Sequence, residues 1–193
     1  MLKRFIIIFL SGVCALVALT SCGENDLGGG IGEFTTVTAT AVSQTNRLES
    51  DVLTGNVCSD TASTGGTFAT DSINVNVTSK ALFPAGSLDL LVSKITVKYI
   101  PVNPATTPPL PDFVINTSQT IQPGQTTQIS VAVVPDAYKV ALVSRSTQNL
   151  GLCSVDIFEY FVTIVFEMSE PGGNGKIKNV SANLNIAIAD RTE

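Results

Sequence analysis

The chain of 193 residues contains no histidine and no tryptophan, and only four cysteines. Without histidine there is no Ser-His or Cys-His dyad for nucleophilic catalysis, and no imidazole to complete a zinc site. Neither the Gly-x-Ser-x-Gly elbow nor the Gly-x-x-x-x-Gly-Lys phosphate loop occurs. Lys and Arg form no cluster and do not interleave with aromatics, so the electrostatic footprint of nucleic-acid binding is missing. The aspartates at 51, 60, 71, 89, 112, 136 and 156 lack the dense spacing of a calcium loop. These absences lead to the expectation of no catalytic residues, no metal and no cofactor. One chemistry stays open, a carboxylate pair of the glycosidase kind, because folding can join residues distant in sequence.

What is present begins at the N-terminus. Lys3 and Arg4 precede an apolar run from Phe5 to Leu19, broken only by Ser11, Gly12 and Cys14. At about 15 residues this run is shorter than the roughly 20 that a membrane-spanning helix needs, and its flanks are those of a secretory signal. It ends in Leu19-Thr20-Ser21-Cys22, which resembles the lipobox of bacterial lipoproteins. The resemblance implies diacylation of the Cys22 thiol, removal of residues 1–21 and acylation of the new amino terminus. Each buried CH₂ contributes about 0.8 kcal/mol, so several acyl chains together give a lasting membrane anchor. The implied location is the cell envelope, and Gly23 after the cysteine resembles lipoproteins sorted to the outer membrane.

Removal of Lys3 and Arg4 leaves nine basic against sixteen acidic residues, a net charge near −7 for the mature chain. Residues 22–33 include five glycines and no apolar periodicity, and read as a tether with a reach of about 18 Å. Cys14 leaves with the signal segment and Cys22 carries lipid. Cys58 and Cys153 then remain as a pair in an oxidising compartment, and a disulfide between them is expected. The competing readings are two free thiols or part of a metal site.

From residue 34 to 193 the recurrent signal is alternation of apolar and polar residues, the period of half-buried strands. It marks Val37 to Ala41, Ile73 to Val77, Ile95 to Tyr99, Ile129 to Val133, about Val155 to Met168, and Val180 to Ile188. Glu170-Pro171-Gly172-Gly173-Asn174-Gly175 reads as the hairpin connection between the last two. Asp136 to Arg145, with Ala137, Val140, Ala141 and Val143, allows one short helix. The pattern predicts an all-β, antiparallel sandwich of about seven to nine strands. With no tryptophan, its likeness to antibody domains is architectural.

The run Ser93 to Tyr99, the strand after Pro123-Gly124, Phe161 to Phe166 and Val180 to Asp190 resemble a group of uncharacterised bacterial lipoproteins with one immunoglobulin-like domain. The resemblance implies a fold and carries no reaction. It departs at Met168-Ser169-Glu170, where an aromatic-Gly pair is expected.

Two segments suggest contacts. Pro101 to Pro111 holds five prolines and reads as a stiffened, extended loop or a docking ligand. In the long strand, Phe158, Tyr160, Val162, Ile164, Phe166 and Met168 share one face, yet the opposite face also carries Phe161 and Val165. Apolar residues on both faces make Phe161 and Val165 a candidate contact surface, unless other parts of the chain cover them. The expectation for function is a lipid-anchored, non-enzymatic binding or scaffolding protein. Its partners are the membrane, through the lipid, and an envelope protein or polysaccharide. The alternatives are a subunit of a surface fibre or secretion assembly and, less favoured, a polysaccharide hydrolase.

Overall fold

A computed structural model describes residues 31–59 and 62–191. The signal segment, Cys22 and the tether up to residue 30 lie outside the described residues. The domain begins with β1 (Gly32–Glu33), assigned to the tether on sequence grounds, which pairs with β2 (Val37–Ser43). There follow β3 (Arg47–Asp51), β4 (Thr54–Ser59), β5 (Ala62–Thr67), β6 (Asp71–Ala81), β7 (Leu90–Pro101), β8 (Phe113–Ile121) and β9 (Thr126–Val134). A short helix α1 (Asp136–Val143) precedes β10 (Phe158–Ser169) and β11 (Lys178–Ala189).

The chain is an all-β sandwich. One sheet has the order β1-β2-β6-β9, the other β3-β11-β10-β7-β8, and β4-β5 stands apart as a hairpin. Among the described residues the two sheets hold nine strands, and the β4-β5 hairpin adds two to the expected seven to nine. The pairing of β3 with β11 departs from expectation, because it is parallel.

Alternation accounts for the core directly. Val37, Ala39 and Ala41 of β2, Ile73, Val75 and Val77 of β6, and Val131 and Val133 of β9 are buried from one sheet. From the other sheet come Ile95, Val97 and Tyr99 of β7, the even-numbered residues 158–168 of β10, and Val180, Ala182, Leu184, Ile186 and Ile188 of β11. In β7 the pairing register slips between Val92 and Lys94. That bulge lets Val92 and Ile95 both face inward despite their odd spacing, as an extra residue does in a ladder.

Strands β3, β4, β5 and β8 carry no clear apolar alternation. β8 reads Phe-Val-Ile-Asn-Thr-Ser-Gln-Thr-Ile and only Ile121 is fully buried, which suits an edge strand half in contact with the core. The long strand starts at Phe158, and Val155 and Ile157 before it are exposed.

The helix forms where expected, with most of its small apolar residues outward. Ala137, Val140 and Ala141 face solvent, while Lys139 and Leu142 are buried. The Lys139 ammonium donates to the carbonyl of Asp51 at 2.6 Å and pairs with Asp71 Oδ2 at 2.9 Å, and Ser50 Oγ donates to the same carboxylate oxygen. A buried cation is tolerated only with such partners.

Candidate functional site

The Pro-rich segment is part of the sandwich end. The amides of Thr106 and Thr107 both donate to the carbonyl of Asn103, so a turn replaces the extended, internally unbonded conformation expected there. Thr107 and Pro108 are buried, and Tyr160 donates its hydroxyl to the Pro108 carbonyl at 2.8 Å. Tyr138 donates to the carbonyl of Pro111 at 3.1 Å. Tyr99 meets both Tyr138 and Tyr160 edge-on, with ring centroids 5.7 and 6.3 Å apart. Burial holds the phenols of Tyr99, Tyr138 and Tyr160 above their ordinary pKa, so they stay neutral donors. These contacts leave the segment a fixed wall and disfavour its reading as a free docking ligand.

Cys58 and Cys153 form the expected disulfide, joining β4 to the loop before β10 with a Cα–Cα distance of 5.5 Å. Each sulfur is spent on the other, so the metal-site reading finds no thiolate here. Beside the bridge lies Asp190, a buried carboxylate not singled out from the sequence. Both of its oxygens accept from Asn56 Nδ2 at 3.1 Å, and the Cys153 amide donates to Oδ2. Cys153 has a φ of 57°, the left-handed region that non-glycine residues seldom adopt. In that conformation its amide meets the Asp190 carboxylate.

Glu170 is the second buried carboxylate that sequence reasoning missed. It accepts the Thr35 amide at 2.8 Å, the Thr36 amide at 3.1 Å and the Thr36 hydroxyl, and so ties the β10–β11 turn to the entry of β2. Gly173 makes room for it: a Cβ there would stand 2.7 Å from Glu170 Oε2.

The outer face of the five-stranded sheet carries the candidate contact surface. Phe161 is 53% exposed and Val165 is half-buried, so neither the helix nor the loops bury them fully. In the register Phe161 lies between Ile100 of β7, itself 61% exposed, and Asn185 of β11. Thr163 lies between Lys98 and Asn183. Asn46, Ile100, Phe161, Thr163, Asn183 and Asn185 line an open groove of about 570 Å³. At its edge Arg47 is held by Glu159 at 3.0 Å and by Glu49. The Arg47 hydrogen bond lowers the Glu49 pKa, and that of Arg47 is raised by the same contact.

Comparison with protein families, characterised proteins and solved structures gives no match. Further grooves are lined by Ser87 to Leu91 with Gly172, by Thr120 with Gln122 and Gln125, and by Arg47 with Glu159. In none of these four grooves do two carboxylates converge.

Proposed function

We propose that this chain is a lipid-anchored, non-enzymatic module of the bacterial cell envelope that meets an envelope partner through the outer face of its five-stranded sheet. The observation that carries the contact surface is the adjacent exposure of Phe161 and Ile100 on the outer sheet face, where Val165 is also partly exposed. Exposed apolar residues that touch one another mark contact sites more often than single ones do. The anchor rests on the basic n-region, the short apolar run and the lipobox ending at Cys22. The bridged, two-sheet domain suits an oxidising compartment.

Fractionation of cells producing the chain or its Cys22→Ser variant tests the anchor. The parent should sediment with membranes and the variant should be soluble. A variant that still sediments removes lipidation at Cys22 as the cause.

A second reading, a subunit of a surface fibre or secretion assembly, draws on β8. This edge strand of nine residues contains no charge and no proline, the devices that usually block strand addition. Under this reading the apparent size of the soluble Cys22→Ser chain rises with concentration. Under the first it stays that of a monomer.

A further inference from the structure

We infer that the groove beside Phe161 binds a polysaccharide, with a sugar ring resting against Phe161 and its hydroxyls bonded by Asn183, Asn185 and Asn46. This rests on the contact-surface reading above and names the chemistry of the partner.

The polar groups of the groove set the class of ligand. Asn46, Asn183 and Asn185 line it together with Thr163, and their side-chain amides make no hydrogen bond to other described residues. An amide offers a carbonyl acceptor and two N–H donors. A pair of neighbouring sugar hydroxyls presents the matching donor and acceptor. Two such amides on β11, with a third just before β3, are a poor match for an apolar protein helix, which would leave them desolvated and unpaired.

Charge points the same way. Arg47 at the rim is committed to Glu49 and Glu159, and farther along the same face Lys94 is paired with Glu167. Lys98, exposed opposite Thr163, is a single cation at the border, too little for a strongly anionic polymer. Phe161 and Ile100 supply the exposed apolar side chains, and the groove volume of about 570 Å³ lies within the range of small-ligand sites. Such a mixture of one aromatic, one aliphatic and several amides gives a sugar ring an apolar contact and leaves its hydroxyl rim satisfied.

The geometry also places the polymer. The groove runs across β7, β10 and β11 on the outer face of the sheet. The other face of these strands is the core.

The full chain, immobilised on beads, is presented with envelope fragments from the source cells that have been left untreated, digested with protease, or oxidised with periodate to cleave vicinal diols. Retained carbohydrate is measured for the parent and for Phe161→Ala, Asn183→Ala and Asn185→Ala. Binding should survive protease and high salt, be lost after periodate, and fall roughly tenfold in Phe161→Ala, the scale an aromatic contact of ordinary strength supplies. The asparagine variants should each weaken it and change circular dichroism little. Retention abolished by protease but not by periodate, with Phe161→Ala still impaired, overturns the polysaccharide and leaves the contact surface standing. Retention that Phe161→Ala does not alter, or no retention at all, overturns both.

Discussion

The hydroxyl of Tyr99 on β7 donates a hydrogen bond to the carbonyl of Val133 on β9 at 2.8 Å, reaching from one sheet to the other. Its ring lies against Tyr138 and Tyr160, whose own hydroxyls hold the Pro-rich loop. The three tyrosines of the chain therefore close one end of the sandwich as a unit.

Replacing Tyr99 by Phe keeps the ring and removes the donor, leaving a buried carbonyl without its partner. The expected loss is about 1 to 2 kcal/mol in urea denaturation, with an unchanged far-ultraviolet spectrum. A variant as stable as the parent would show that the Val133 carbonyl is satisfied in another way.

The same cluster predicts behaviour in alkali. Burial is the first cause of the raised pKa of each tyrosine, most strongly for Tyr99 and Tyr160. A folded-state pKa above the unfolded value gives stability that is complete below the unfolded pKa of about 10 and lost as pH rises beyond it. Tyrosinate absorbance should stay low above pH 10 and then rise together with unfolding, with Tyr138, the most accessible, leading. Three phenols titrating near their ordinary value while the fold persists would contradict the buried cluster.

Glu170→Ala should strip the acceptor from the amides of Thr35 and Thr36 and from the Thr36 hydroxyl. Charge-assisted bonds of this kind and the cost of buried orphan donors suggest a loss of roughly 2 to 3 kcal/mol. Hydrogen exchange should quicken first at Thr35 and Thr36. Uniform exchange across the sandwich would argue against a local clasp.

The bridge between Cys58 and Cys153 spans 95 residues. In the chain-entropy account, closing a loop of that order contributes about 4 to 5 kcal/mol. Cys58→Ser should lower stability in non-reducing buffer and make it insensitive to dithiothreitol, whereas the parent should lose stability on reduction. Identical denaturation curves for the parent with and without reductant would remove the bridge from the account of stability.

Much of the fold is legible because period-two alternation states which side of a strand is wet. It suffices for β2, β6, β7, β9, β10 and β11, whose alternating apolar positions supply most of the core. It failed for β3, β4, β5 and β8, where edge position or hairpin pairing, rather than a buried face, makes the strand. It says nothing of Lys139 in α1, which is buried because Asp71 and the Asp51 carbonyl, from β6 and β3, receive its charge. No local pattern announces a partner 68 residues away.

The candidate site divides in the same way. Phe161 and Val165 stood out as apolar residues on the wrong face of a strand. Asn46, Asn183, Asn185 and Ile100 did not, because they join Phe161 only through the pairing of β7, β10 and β11 and the approach of β3. Asp190 and Glu170 were ordinary surface acids in sequence, and burial beside particular amides made them clasps.

By itself the sequence determined the all-β class, the core positions of the alternating strands and the identity of the bridging cysteines, since alternation and a count of thiols are local or compositional properties. The order of strands, the one parallel pairing, the buried Lys139 and the amide-lined groove were decided by tertiary structure. Each depends on which strands become neighbours, and that follows from the joint burial of two sheets rather than from any single segment.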